Sequence, residues 1–160
     1  MFERDMEHRK FFKSIQVEYE VGIFLPNEVL LLREGTPTDL SWLKDTMNGS
    51  ILFFLSHYCE ACDAEVVLEA IKKYPEFSYI IFFEGPVNPV SNYKQLLDER
   101  NVKLYSFHID QIENSLKVQL IPYQLVLNKV GQVITAGIIN TLPMIEDLML
   151  PLLRVMENNK

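Results

Sequence analysis

Apolar residues cluster in three short runs along this chain, at 29–32, 51–55 and 79–83. Ile51-Leu52-Phe53-Phe54-Leu55 and Tyr79-Ile80-Ile81-Phe82-Phe83 are apolar at every position rather than alternately, which predicts strands covered on both faces of a sheet. Between them Val66, Val67, Ala70, Ile71 and Tyr74 recur at helical spacing until Pro75, so a helix connects the two strands and packs on the sheet.

The flanking segments carry weaker patterns. Glu28-Val29-Leu30-Leu31-Leu32 reads as a short strand closed by Arg33-Glu34-Gly35, and capping residues in Thr38-Asp39-Leu40-Ser41-Trp42-Leu43 predict a short helix through Met47, ended by Asn48-Gly49. After Gly85-Pro86 and the turn residues Asn88 and Pro89, a helix is expected over 91–99, a strand over 102–107 and a short helix over 111–118. Ile121-Pro122 leads into a strand over 123–127, a turn at Asn128-Lys129-Val130-Gly131, a strand over 132–136 and a final helix over 142–155, bent at Pro151. Residues 1–18 are polar and charged and read as an arm ahead of one domain spanning 19–160. Strands alternating with helices, then a hairpin and a helix, predict an α/β fold: a central mixed β-sheet flanked by helices, parallel at its centre and antiparallel at one side.

Composition narrows the function classes. At 160 residues and 48% hydrophobic, the chain has the material for one well-cored domain, whereas two would each be small. Its 22 acidic and 15 basic residues give a net charge of −7, which argues against a nucleic-acid partner. No apolar run approaches the roughly 20 residues that span a bilayer, so no membrane segment is expected. The charged start, Met1 to Lys10, has no long apolar region behind it and does not read as a secretory signal. A cytoplasmic location follows for the chain as written, with an extracytoplasmic, membrane-anchored one as the alternative if an export segment has been removed.

The two cysteines stand together, as Cys59-Glu60-Ala61-Cys62, between the first buried strand and the helix that follows. A C-x-x-C opening a helix places the first sulfur among unpaired N–H groups and beside the positive end of the helix dipole, an effect of roughly one pKa unit from about 8.5. Such a thiolate attacks disulfides, and a second thiol one turn on resolves the product. Glu60, Asp63 and Glu65 oppose the thiolate, with no Lys or Arg between Ser56 and Glu69, which predicts a reducing rather than an oxidising pair. His57 could offset them if its ring faces Cys59. Two other readings stay open: inert cysteines, and a zinc site using His57, Cys59 and Cys62, which lacks the fourth ligand a structural zinc wants.

The succession of apolar strand, C-x-x-C, helix and a later proline at the start of a strand running into a glycine-turn hairpin resembles the thioredoxin fold over roughly residues 20–157. Val21-Gly22-Ile23-Phe24-Leu25-Pro26 ahead of it is similar to the lead segment of the TlpA/ResA-like branch. The resemblance implies a cis peptide at Pro122, with Ile121 and Pro122 facing the cysteines beside a backbone edge free to pair with substrate. It also implies that Glu65, three residues after Cys62, shares in the cysteines' proton traffic. Phe53 stands where thioredoxins proper keep a buried aspartate, which leaves Glu65 as the remaining candidate for that role. Tyr58 occupies a position often held by tryptophan, Ala61 one often held by proline, and Ser56-His57-Tyr58-Cys59 is also similar to the MauD-like branch. Implied, then, is a thiol–disulfide oxidoreductase with Cys59, Cys62 and Glu65 as catalytic residues. His57, Tyr58, Ile121 and Pro122 would line its substrate site; no cofactor or metal is implied. Its partners would be a protein or peptide disulfide and an upstream dithiol reductase. The alternatives are a redox-inactive binding or accessory module on the same fold, and a thiol peroxidase, whose motif would need proline where Leu52 stands.

Overall fold

The computed structural model of the chain describes residues 19–86 and 92–159. The arm expected over 1–18, the turn residues Asn88 and Pro89, and Ser91 at the expected start of a helix lie outside the described residues. In chain order the elements are β1 (Glu28–Val29), β2 (Thr38–Asp39), a 3-10 turn (Ser41–Lys44), β3 (Ser50–Ser56), α1 (Ala64–Lys73), β4 (Ser78–Glu84), α2 (Lys94–Glu99), β5 (Lys103–Ser106), α3 (Ile109–Ile112), β6 (Tyr123–Leu127), β7 (Val133–Ile138) and α4 (Leu142–Asn158).

β3 lies at the centre of a five-stranded sheet ordered β5-β4-β3-β6-β7. It pairs in parallel with β4, Ile51 opposite Tyr79 and Ser56 opposite Glu84, and antiparallel with β6, Phe53 opposite Gln124. The pleat divides the β3 side chains between two cores. Ile51, Phe53 and Leu55 join Val67, Leu68, Ala70 and Ile71 of α1 and Ile145, Met149 and Leu152 of α4 on one face. Leu52 and Phe54 join Ile80, Phe82, Phe107, Ile112 and Leu116 on the other. The unbroken apolar run of β3 is therefore required, since either register parity points into a core. Phe54 stacks on Phe82 with ring centres 4.6 Å apart, and Phe53 on Tyr79 at 6.2 Å, tying β3 to β4 through both faces.

Four local expectations change. Residues 38–47 do not form a helix: Thr38 and Asp39 pair with Val29 and Glu28, and only the 3-10 turn follows. The Asp39 carboxylate accepts from the Ser41 N–H at 2.9 Å, but Leu40 holds the cap position with no side-chain bond of its own, and the helix goes no further than one 3-10 turn. Of the strand expected over 28–32, only Glu28 and Val29 are paired. The helix expected over 111–118 begins and ends early, at Ile109–Ile112, because Glu84 accepts from the Ile109 N–H at 2.7 Å and Lys117 takes a left-handed φ of 62°. The fourth change concerns the start of α1.

Candidate active site

β3 delivers the chain to the cysteines. It ends at buried Ser56, and two overlapping turns follow, the Cys59 N–H donating to the Ser56 carbonyl at 3.3 Å and the Cys62 N–H to the Cys59 carbonyl at 3.3 Å. α1 opens only at Ala64, capped by Asp63, whose carboxylate accepts from the Glu65 N–H at 3.0 Å. This corrects the expectation that the C-x-x-C itself opens the helix. Cys59 lies on the approach, ahead of the cap, and a carboxylate already occupies the positive end of the dipole, so the dipole is not available to Cys59 as supposed.

The two sulfurs have different surroundings. Cys59 is partly exposed, and its thiol donates to the Ile121 carbonyl at 3.7 Å. The Ile121–Pro122 peptide is cis, and through the Ile121 carbonyl the segment before β6 reaches the first cysteine. Cys62 packs against the core shared by α1 and α4. Burial pushes its thiol up to about 12; a hydrogen bond that the Cys62 thiol donates to Cys59, and that residue's charge, push the same way, and the Ser56 backbone amide works against them. Between α1 and the cis peptide is a niche of about 10 Å³, lined by Leu55, Asp63, Val66, Val67, Pro122, Ile139 and Asn140. That is room for about one water.

The other residues singled out in the sequence take up distinct places. Tyr58 is 73% exposed beside Cys59, and the His57 ring stands edge-on to it at 5.4 Å. Ile121 is half-buried, and Pro122 is buried. Glu65 is exposed in the first turn of α1 and accepts from the Tyr93 hydroxyl at 2.5 Å; that phenol is held above its ordinary range by the same hydrogen bond. No hydrogen bond joins Glu65 to either sulfur among the described residues. Phe53, fully buried against Tyr79, brings no carboxylate to Cys62. Among the described residues no three His, Cys, Asp or Glu side chains are arranged to hold a metal ion, and no helix is long and apolar enough to cross a membrane.

Two polar residues at the site were not singled out for it. The Ser56 hydroxyl donates to Glu84 at 3.1 Å and accepts from the Tyr58 N–H at 3.1 Å, while the other Glu84 oxygen accepts from the Ile109 N–H. The Glu84 carbonyl accepts from the His57 N–H at 2.7 Å. Gly85 follows with φ 122°, and a Cβ there would stand 2.5 Å from the His57 Cβ. A signal for Glu84 existed in the sequence: it is the first charged residue after a buried parallel strand, and the carboxyl ends of such strands are where α/β folds place their sites.

No family model matches the chain, and no curated protein matches it in sequence. Solved structures do match in shape. A protein assigned as the thiol:disulfide interchange protein DsbE from Chlorobium tepidum superposes with a TM-score of 0.57 at 15% identity, covering 85% of this chain and 99% of that one. A thiol:disulfide interchange protein from Bacteroides sp. gives 0.53 at 12%, over 80% and 89%. The thioredoxin domain of a thiol-disulfide oxidoreductase from Bacteroides vulgatus gives 0.53 at 13%, over 81% and 98%. With its mixed five-stranded sheet flanked by helices, this chain has the thioredoxin-like fold, and its structural neighbours are thiol:disulfide interchange and thioredoxin-family proteins.

Proposed function

We propose that the protein is a thiol–disulfide oxidoreductase that reduces protein or peptide disulfides through Cys59 and Cys62. The observation that carries this reading is the Cys59 sulfur at 3.7 Å from the Ile121 carbonyl, beside the cis Ile121–Pro122 peptide, with half-buried Cys62 packed against the core one turn on. A partly exposed thiol beside this segment can meet an extended chain carrying a disulfide, and a second thiol packed against the core is placed to resolve the product.

In the first step the Cys59 thiolate attacks one sulfur of the substrate disulfide. That S–S bond breaks, a mixed disulfide forms on Cys59, and the departing thiolate takes a proton from water. Cys62 must then lose its own proton. Part of what holds the Cys62 thiol up is its hydrogen bond with Cys59 and that residue's charge, and both end once Cys59 is in the mixed disulfide. Burial remains, opposed by the Ser56 amide, so Cys62 becomes more acidic when its attack is needed. Its thiolate attacks the Cys59 sulfur and closes the Cys59–Cys62 bridge, releasing the second substrate thiol. The substrate gains two electrons and two protons, and the protein gives them up. An upstream dithiol restores the pair by the reverse exchange. Glu65, an acid on the first turn of α1, serves as the exchange partner for the Cys62 proton through water. Tyr58, His57 and Ile121 form the rim that meets the substrate.

Turnover of insulin or of a small aromatic disulfide by the purified dithiol form tests this. Cys59→Ser is expected to abolish it, and Cys62→Ser to accumulate a mixed disulfide visible by mass. Turnover that survives Cys59→Ser would end the proposal, and binding of a partner unaffected by removal of both cysteines would favour an accessory module.

A further inference from the structure

The hydrogen bonds around Glu84 form one connected chain from the sheet to the cysteines. Its carboxylate is half-buried and receives two donors, the Ser56 hydroxyl at 3.1 Å and the Ile109 N–H at 2.7 Å. The Ser56 oxygen, with its proton committed to Glu84, presents a lone pair to the Tyr58 N–H at 3.1 Å. The Ser56 carbonyl receives the Cys59 N–H. Ser56 thus holds the turn that carries Cys59 through both its hydroxyl and its carbonyl, and Glu84 decides which way the hydroxyl points. A hydroxyl free to rotate could donate to other acceptors and leave the Tyr58 N–H without one.

We propose that Glu84 is a positioning residue for the cysteine pair, acting through the Ser56 hydroxyl to fix the turn that carries Cys59, and so setting the balance between dithiol and disulfide. The inference rests on the redox reading above. Its direction follows from the state in which the contacts occur. The turn they fix holds the Cys59 thiol at the Ile121 carbonyl, a hydrogen bond that needs the thiol proton and that a disulfide cannot make, so loosening them weakens the dithiol form relative to the disulfide. A carboxylate is suited to the task because two donors converge on it from different segments. Glutamine offers one acceptor oxygen and turns an N–H₂ toward the second donor.

The test is the equilibrium constant of the Cys59/Cys62 pair against dithiothreitol, measured on the full chain as wild type, Ser56→Ala, Ser56→Thr, Glu84→Gln and the double variant Ser56→Ala/Glu84→Gln. Thermal unfolding of each is recorded alongside. Ser56→Ala and Glu84→Gln are each expected to move the constant about tenfold toward the disulfide, which is about 30 mV for a two-electron couple. The double variant should move no further than either single one, because both remove the same chain of bonds, and Ser56→Thr, which keeps the hydroxyl, should stay within about twofold of wild type. A merely structural role would lower the melting temperature and leave the constant where it was. Single variants that unfold cooperatively and keep the wild-type constant therefore overturn the inference. So does a shift in Glu84→Gln alone, which would mean that the charge acts directly rather than through Ser56. A wild-type protein with no reversible dithiol–disulfide transition overturns the redox reading itself, and this inference with it.

Discussion

β3 and β4 run side by side from Ser50 opposite Ser78 to Ser56 opposite Glu84, and the inside of this ladder differs from its end. The inner rungs, Ile51/Tyr79 to Leu55/Phe83, are apolar and almost wholly removed from solvent. The last rung joins a hydroxyl to a carboxylate. The inner rungs hold by area and shape and would hold equally well in many combinations of large apolar residues; the last rung holds by direction, which apolar contacts cannot give. The fold thus separates the part that sets stability from the part that aims the chemistry, by a single residue along each strand. Phe53→Ala tests the first half. It removes a fully buried ring stacked on Tyr79 and leaves a cavity between β3, α1 and α4. The expected loss is about 3–5 kcal/mol in denaturant unfolding. The redox equilibrium of the molecules that remain folded should change little. A large redox shift would show that the two parts of the ladder are not separable.

The second half is sharpened at Gly85, immediately past the last rung. Its φ of 122° is a conformation L side chains rarely adopt, and an added Cβ would meet the His57 Cβ at 2.5 Å. The neighbour is a short-range part of the site loop rather than the far end of a flexible chain, so the loop must move. Gly85→Ala is expected to cost about 1–3 kcal/mol of stability, less than the interior cavity. Unlike Phe53→Ala, it should also slow the reaction of Cys59 with a disulfide reagent, because His57 and Tyr58 lead directly into Cys59. Stopped-flow thiol titration of folded protein reads this. An unchanged rate would mean that the loop's position does not govern the first cysteine.

The same contrast explains what could be read from the sequence. β3 and β4 are legible nearly to the residue because burial on both faces demands unbroken apolar runs, β6 because it sits between Pro122 and a glycine turn, and α1 because Val66, Val67, Ala70, Ile71 and Tyr74 leave a helical stripe. The antiparallel side of the sheet followed from the turn at Asn128 to Gly131. Residues 38–47 and 111–118 depart from their local pattern because their outcome depends on contacts outside themselves: Thr38 is claimed by Val29, and the Ile109 N–H by Glu84. The cysteine pair was legible as chemistry, but the start of α1 was not. Asp63 competes with the C-x-x-C for the cap position, and a carboxylate one residue after Cys62 wins it. Glu84 carries only the positional signal of a charge at the end of a buried strand, because its partner Ser56 lies 28 positions away in sequence. Glu65 stood out through resemblance, and its partner Tyr93 lies on a different segment that no local pattern connects to it.

An effect confined to alkaline pH comes from Cys62, which stands where the two kinds of surroundings meet: its side chain packs on the apolar core, and its N–H joins the turns that start at Ser56. Burial dominates, and the thiol rises from its ordinary 9.0 to about 12. Between those values the unfolded chain has lost the proton and the folded chain keeps it, so unfolding releases a proton and stability falls as pH rises. This contribution is fully present below about pH 9 and is lost progressively toward pH 12. Tyrosines and lysines titrate in the same window, so the informative quantity is the difference between the dithiol protein and Cys62→Ser in denaturant unfolding at matched pH. The wild-type curve should fall more steeply with pH over that window, and oxidation to the disulfide, which removes the titrating thiol, should flatten it to match the serine variant. Parallel curves for the dithiol protein and Cys62→Ser would mean that the sulfur titrates as it would in water, and that the core reaches the second cysteine without sheltering it.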